Sequence, residues 1–275
     1  MESELGVPLF IRTQKKLELT EFGHALFSDA VRIREIQQHY LEQLEEYQRK
    51  QHLATLKLGL IPLMPHYHFP ALLSAFSAKY PSTRLELFTE GEHLLFDALT
   101  QQKCEVALMR SGTLEEDALE RMFLFRDFFC IVLSPKHPLA GEQALSFAQL
   151  SECQFILHTA VTAHKQPSRF QQKMLGGLGF PPKYSMFLTS FKAILDLVRH
   201  NIGVTIMSYH AARYEIRPED DLVVIPLAPS IYYDVSLYYL KDHPLSTAAA
   251  AFLDFVNEHR DLLPPSFSDA SSLKK

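Results

Sequence analysis

The chain has 275 residues, 47% of them hydrophobic and 21% charged, so it can bury one large core or two modest ones. Its net charge of -5 excludes a strong overall positive field, and any contact with nucleic acid must come from a local basic patch. The first residues include Glu2 and Glu4 and no continuous apolar run, which argues against a signal peptide or membrane span and predicts a cytoplasmic protein.

The cysteines and the common catalytic motifs give no sign of redox, metal or nucleophilic chemistry. Cys104, Cys130 and Cys153 are odd in number, widely spaced and without a Cys-x-x-Cys pair, which is typical of buried thiols in a reducing cytoplasm. The sequence has no Gly-x-Ser-x-Gly elbow, no glycine-rich phosphate loop and no His-Glu-x-x-His. His66 and His68 point in different directions on a strand or a helix, so we interpret them as surface or loop histidines. We therefore predict no enzyme, no cofactor and no metal.

A short basic hairpin is predicted between Leu9 and Leu19. Leu9 and Phe10 alternate with later apolar partners, Leu17 and Leu19, across a bend. The bend carries cationic and hydroxyl side chains that are suited to phosphate contacts: Arg12, Thr13, Lys15 and Lys16. A solvated turn is the alternative interpretation.

Residues 20–51 are predicted to form one long helix. The run has no proline, its only glycine lies near the start, and Thr20 is a suitable N-cap. Apolar side chains recur every seven residues, and with one flanking position they define a candidate dimerisation seam: Leu26, Ile33, Tyr40, Leu44 and Tyr47. The seam indicates a partner helix, and packing against the chain's own domain is the alternative.

From residue 55 onward, strand-like and helix-like segments alternate. Strands are predicted at 56–61, 83–88 and 106–109, and helices at 69–80 and 94–101. This β-α-β-α-β succession predicts a parallel sheet that is covered by helices on both faces.

A second α/β unit is predicted after a strand at 128–133. Its elements are strands at 155–157, 204–207 and 222–226, helices at 170–175 and 191–200, and a glycine-rich stop at 176–179. A strand at 235–240 and a helix at 246–259 close the fold. The last segment is rich in Ser, Asp and Lys, and it is predicted to be frayed.

Several motifs together resemble the LysR-type transcriptional regulators. Leu-Gly-x-x-Leu-Phe-x-Arg from Leu5 and Leu-x-Leu-Thr-x-x-Gly from Leu17 resemble the end of the recognition helix, the wing and the start of the linker helix in that family. Further landmarks stand where such regulators have them: Leu-Lys-Leu-Gly at Leu56, Tyr-Pro at Tyr80, Glu-Gly at Glu90, His-Pro-Leu at His137, Gly-Phe-x-Pro at Gly179 and Leu-Val-x-x-x-x-Gly-Val at Leu197.

The resemblance implies an α/β fold with a remnant of a winged helix-turn-helix, a long linker helix, and two periplasmic-binding-protein-like (Rossmann-like) lobes joined by crossover strands. The family's complete winged helix-turn-helix would need about two more helices and most of a third upstream. The implied boundaries are 1–19 for the remnant, 20–52 for the linker and dimerisation helix, 53–130 and 235–265 for lobe I, 131–234 for lobe II, and 266–275 for a disordered tail.

The resemblance further implies a DNA-binding transcriptional regulator that is controlled by a small-molecule effector and acts as a homodimer or homotetramer, away from membranes. The effector would bind between the lobes, at the ends of the strands and the starts of the helices. The matching positions are Pro62, Leu63, Met64, Glu92, His158, Thr159, Pro167, Arg169, Ser190 and Phe191.

Two of these positions depart from the family's pattern. The loops after the first and second strands usually offer Ser or Thr to an anionic effector, whereas this sequence has Leu63 and Glu92. Leu63 has no hydroxyl and Glu92 would repel a carboxylate, so the expected effector is not a simple carboxylate. Glu92 could instead cap its own helix and point away, and Arg169 could pair with Glu92, bind an acidic ligand or lie exposed.

Other interpretations stay open. The chain could be a truncated regulator that dimerises and binds effector but does not bind DNA specifically by itself. The start codon could also be placed too far downstream. A transporter's solute-binding protein is disfavoured because no signal peptide is recognisable.

Overall fold

The computed structural model describes residues 6–12, 16–51, 55–112, 117–159, 176, 179 and 183–268. The chain divides into two compact units, Met1–Leu53 and Ala54–Lys275. The first contains an antiparallel hairpin of β1 (Phe10–Arg12) and β2 (Leu17–Leu19), followed by helix α1 (Glu21–Gln51). The predicted hairpin and long helix are both confirmed.

Thr20 caps the long helix, as its sequence position predicts. Its Oγ1 accepts a hydrogen bond from the amide of Gly23 at 2.9 Å and donates one to the Pro8 carbonyl at 2.9 Å. The same hydroxyl therefore satisfies an amide of the first helical turn and ties the helix to the strand before the hairpin. The Thr20 amide donates to the Leu9 carbonyl at 3.0 Å, which completes the junction.

Two glycines of the sequence motifs lie where backbone segments approach closely. A Cβ at Gly23 would overlap the Leu9 carbonyl oxygen at the hairpin junction. A Cβ at Gly203 would lie 2.6 Å from the Gln154 carbonyl oxygen, which also accepts the Val204 amide. Both positions therefore need a residue without a side chain.

The second unit starts with the predicted parallel sheet. Strand β3 (Thr55–Leu60) pairs in parallel with β4 (Arg84–Thr89) and with β5 (Val106–Arg110). Helices α2 (Phe69–Lys79) and α3 (Glu92–Thr100) connect these strands, so the predicted β-α-β-α-β order is confirmed. Parallel strands are buried by their helices, and all four residues from Val106 to Met109 are inaccessible to solvent.

One long strand joins the two parts of this unit. Strand β6 (Leu119–Leu133) pairs antiparallel with β12 (Tyr232–Leu240) over its first part. Its second part pairs antiparallel with β10 (Thr205–Ser208) and β11 (Val223–Ala228). The sheet runs in the order β4-β3-β5-β12-β6-β11-β7, where β7 is the short strand Leu145–Ser146, and β10 lies beside β6. Strands β6 and β12 are thus the crossover strands that the resemblance implies, and both begin earlier than predicted.

The remaining elements belong to the second α/β part. They are β7 (Leu145–Ser146), α4 (Phe147–Leu150), β8 (Gln154–His158), β9 (Lys183–Leu188), α5 (Phe191–Arg199) and α6 (Tyr209–Glu215). Strands β8 and β9 pair in parallel, and Phe155 forms a bridge with Val204. Helices α4 and α6 and strands β7 and β9 were not predicted from the sequence, and the predicted helix at 170–175 lies outside the described residues.

The C-terminal segment returns to the first α/β part. Helix α7 (Thr247–Glu258) packs on α2 through the rings of Phe76 and Phe252, whose centroids are 5.1 Å apart. Beyond it, the Phe267 amide donates to the Arg126 carbonyl at 3.0 Å, and the Phe267 ring contacts Phe128 and Tyr209. The predicted tail at 266–275 therefore begins with an anchored aromatic residue, while residues 269–275 lie outside the described part.

Candidate functional site

The carboxyl ends of the parallel strands carry most of the predicted cleft residues. Pro62, Leu63 and Met64 follow β3, of which Pro62 is exposed and the other two are partly buried. The same loop continues into a 3-10 helix, Met64–Tyr67, which places His66 next to this edge. Open α/β sheets bind ligands at such strand ends, so the side chains gathered there define the candidate site.

Glu92 forms a buried ion pair with Arg110, which ends β5. The two side chains are 8% and 12% exposed, and the Arg110 Nε donates to Glu92 Oε1 at 2.6 Å. The guanidinium also lies 5.9 Å from the centroid of the Tyr233 ring. The carboxylate at this edge is therefore already paired with a cation of the same chain. Pro167 and Arg169, the latter considered from the sequence as a partner of Glu92, lie outside the described residues.

A chain of buried hydroxyl groups runs behind this ion pair. The hydroxyl of Tyr67 lies 3.1 Å from that of Tyr233, which donates to Asp127 Oδ2 at 2.8 Å. Asp127 Oδ1 accepts the Phe128 amide at 2.8 Å. Burial raises the pKa of Asp127 and those of both tyrosines. Asp127 and Tyr233 lie on the two crossover strands and Tyr67 lies in the 3-10 helix, and this network was not predicted from the sequence.

His66 is buried, contrary to its interpretation as a surface or loop residue. Its side chain is 5% exposed, and Nε2 lies 2.8 Å from Glu215 Oε1 at the end of α6. The imidazole contacts the rings of Phe191 and Tyr214 edge-on, with centroid distances of 5.3 and 5.1 Å. Burial lowers the pKa of His66, with Glu215 opposing the shift. His66 therefore joins the loop after β3 to α5 and α6.

The remaining predicted residues lie at the start of α5 and the end of β8. The His158 ring stacks on Phe191 at a centroid distance of 4.1 Å, and its Nε2 donates to the Thr189 carbonyl at 3.1 Å. Thr159 is buried, and its amide donates to the Leu188 carbonyl. Ser190 caps α5, since its Oγ accepts the Ala193 amide. Phe191 therefore contacts one histidine from each of the two α/β parts, His66 from the first and His158 from the second.

The residues predicted to contact phosphate and to dimerise belong to the first unit. Lys16 is exposed, whereas Thr13, Lys15 and the side chain of Arg12 lie outside the described structure. On α1, Leu26 is partly buried and Ile33 and Tyr40 are 65% and 61% exposed. The side chains of Leu44 and Tyr47 are not among those described.

The described residues show neither a metal cluster nor a membrane helix. Across this part of the chain, no group of three or more His, Cys, Asp or Glu side chains is placed to hold a metal ion. Its helices are also too short or too polar to cross a membrane.

Stability is expected to fall as the pH is lowered through about 6.5, the ordinary histidine pKa. Burial lowers the pKa values of His66, His158 and His210 in the folded chain, whereas the unfolded chain takes up protons near 6.5. Each histidine that stays neutral when folded contributes up to about 1.4 kcal/mol per pH unit. Thermal denaturation between about pH 7.5 and 5.5 measures this loss. His66→Phe should flatten the dependence.

Comparison with known proteins identifies the family of this chain. Residues 49–261 match the family model of the LysR substrate binding domain. The RuBisCO operon transcriptional regulator of Allochromatium vinosum is 27% identical over 268 residues, which cover 93% of this chain and 83% of that protein.

Two solved structures share the fold. The effector-binding domain of QuiR in complex with shikimate is 20% identical, with a TM-score of 0.61, over 75% of this chain and 97% of that one. Full-length CbnR complexed with its target DNA is 18% identical, with a TM-score of 0.59, over 94% and 86% of the two chains. The family match covers strands β3 to β12, including the crossover strands, and the candidate cleft described above. The chain therefore belongs to the LysR family of transcriptional regulators, and residues 49–261 are its substrate-binding domain.

Proposed function

We propose that this chain regulates transcription by binding DNA under the control of a small effector, which occupies the cleft beside His66 and Phe191. The observation that carries the proposal is the contact of Phe191 with His66 on one side and His158 on the other. This contact joins the strand-end loops of two α/β parts, where ligands of such folds bind. The predicted boundaries fit this view, with lobe I at 53–130 and 235–265 and lobe II at 131–234.

We further propose that the effector is not a simple carboxylate. Leu63 offers no hydroxyl, and Glu92 already holds Arg110. A carboxylate ligand would have to displace a carboxylate that the fold positions in advance, and it would leave Glu92 buried without its cation. The effector-binding domain of QuiR has been solved in complex with shikimate, a carboxylic acid. The effector class proposed for this chain therefore differs from the ligand bound to that protein.

A thermal-shift comparison tests the effector class. Neutral and amine compounds should raise the denaturation midpoint, whereas aliphatic and aromatic carboxylates of the same size should not. Stabilisation by the carboxylates would contradict the proposed class. A screen in which no compound of any class shifts the midpoint would count against effector control itself.

We propose that the hairpin holds DNA phosphates through Arg12, Thr13, Lys15 and Lys16. A structure of CbnR is known in complex with its target DNA, and Lys16 of this chain is exposed immediately before β2. Gel-shift titrations at several salt concentrations provide the test. Lys16→Ala should reduce the slope of log K against log salt by about 0.9, and Lys103→Ala in the second unit should not. Binding without sequence preference would favour the alternative, a chain that does not bind DNA specifically by itself.

We expect α1 to mediate a homodimer, alone or within a homotetramer. Ile33 and Ile36 are 65% and 68% exposed, and single helices seldom leave such a face in water. Ile33→Asp combined with Ile36→Asp should weaken self-association at least about tenfold, because Ile33 belongs to the seam and Ile36 flanks it one turn later, so that both charges would be buried at the interface. Sedimentation velocity measures the change. Gln38→Asp, on the opposite side of the helix, is the matched control and should leave the oligomer intact.

A further inference from the structure

His66 has one ring nitrogen that is paired and one that is not. Nε2 lies 2.8 Å from Glu215 Oε1. Nδ1 is buried, and it has no hydrogen-bond partner in the described part of the chain. Buried polar atoms of folded proteins are nearly always paired, so an unpaired nitrogen at a strand end points to a group that binds there.

Glu215 determines which nitrogen carries the proton. A carboxylate only accepts hydrogen bonds, so the hydrogen of this pair must reside on Nε2. Burial lowers the pKa of His66, which keeps the ring neutral near pH 7. A neutral imidazole that is protonated on Nε2 carries a lone pair on Nδ1. The unpaired atom is therefore a hydrogen-bond acceptor.

The surroundings of His66 are largely aromatic. The ring meets Phe191 edge-on, and Phe191 offers no hydrogen-bond donor. The nearby His158 donates through Nε2 to the Thr189 carbonyl, so that hydrogen is directed away from His66. A ligand that brings a donor to Nδ1 would satisfy an atom that these side chains leave unpaired, whereas a ligand with acceptors alone would not.

We infer that the effector carries a hydrogen-bond donor, such as an amine, a hydroxyl or an amide N–H, which Nδ1 of His66 accepts. The inference rests on the proposed function, because it takes this cleft as the effector site. The requirement for a hydrogen-bond donor restricts the ligand class more than the Glu92–Arg110 pair does, because esters and ethers are neutral but have no such donor.

The first arm of the experiment needs no ligand. Nuclear magnetic resonance of the full chain with ¹⁵N-labelled histidine distinguishes a ring nitrogen that bears hydrogen from one that does not. His66 should show hydrogen on Nε2 and a bare Nδ1, and His66→Phe identifies its signals by their loss. Hydrogen on Nδ1 of His66 would overturn the inference whatever ligands bind.

The second arm compares matched probes that differ in one donor. Benzamide is set against methyl benzoate, and benzyl alcohol against benzyl methyl ether, with benzoate as the anionic probe. In each pair, the probe that has a hydrogen-bond donor should bind at least about tenfold more tightly than its partner, a difference of about 1.4 kcal/mol. It should also shift the Nδ1 signal of His66. His66→Phe should abolish the preference, and His93→Phe should retain it.

The outcomes separate this inference from the proposed function. Equal binding of donor and acceptor probes in the cleft would overturn the donor requirement and leave effector control standing. If no probe shifts either the midpoint or any cleft signal, the effector site itself fails, and the donor inference fails with it. Donor preference that survives in His66→Phe would place the accepting atom elsewhere and overturn the role of His66.

Discussion

Replacing Arg110 by methionine is expected to lower the free energy of unfolding by about 3–5 kcal/mol. The substitution keeps most of the side-chain volume but leaves the Glu92 carboxylate, which is 8% exposed, without its cation. An uncompensated buried charge is costly because the water that solvated it in the unfolded chain is not replaced. The guanidinium over Tyr233 is lost as well, which adds about 0.5–2 kcal/mol. Urea denaturation monitored by circular dichroism measures the change.

The double variant Arg110→Met with Glu92→Met is the informative control. It removes both charges, so its stability should return to within about 1–2 kcal/mol of the parent chain, because apolar replacement of a buried pair is often neutral. If the double variant is as unstable as Arg110→Met alone, packing rather than the unpaired charge explains the loss. Arg84→Met, an exposed arginine on β4, should change stability by less than about 0.5 kcal/mol.

The elements predicted correctly are those whose pattern is local. The β-α-β-α-β segment combines short apolar runs with amphipathic helices, and its strands pair in parallel as expected. The first part of β6 was missed because charged residues interrupt its pattern. One of them, Asp127, is fully buried, where it accepts hydrogen bonds from the Phe128 amide and from the hydroxyl of Tyr233, 106 residues later. A local sequence pattern cannot indicate a hydrogen-bond partner so far along the chain.

The residues of the candidate site also differ in whether a local sequence pattern can identify them. Applying the strand-end argument to the third strand as well would have identified Arg110, which directly follows the apolar run of β5. His66 is different, because its burial depends on Phe191 and on Glu215, which lies 149 residues away. A histidine in a loop is ordinarily exposed, so the sequence alone favours the wrong environment for it.

Replacing Asp127 by alanine is expected to lower the free energy of unfolding by about 3 kcal/mol. The carboxylate accepts hydrogen bonds from the Tyr233 hydroxyl and the Phe128 amide, and each buried donor left unpaired costs about 1–3 kcal/mol. Asp127→Asn keeps an acceptor and the volume, so it should cost less than about 1 kcal/mol. Chemical denaturation at pH 7 compares the two variants. Equal losses would show that charge, rather than hydrogen bonding to the crossover strands, governs stability at this position.

The Asp127→Asn variant and the parent chain also provide a pH test of the buried carboxyl. Burial raises the pKa of Asp127 above its ordinary value of 3.8, so its contribution to stability is largest below 3.8 and is lost as the pH rises through the folded pKa. Asparagine resembles the protonated form and has no such loss. The stability of Asp127→Asn relative to the parent should therefore improve as the pH rises above 3.8. The acid loss from His158 occurs in both proteins and cancels in this difference, whereas Asp127 raises the pKa values of His66 and His210, which therefore fall further in Asp127→Asn. A difference that does not vary with pH would mean that Asp127 titrates alike in the folded and unfolded chains, and that its partners fully offset its burial.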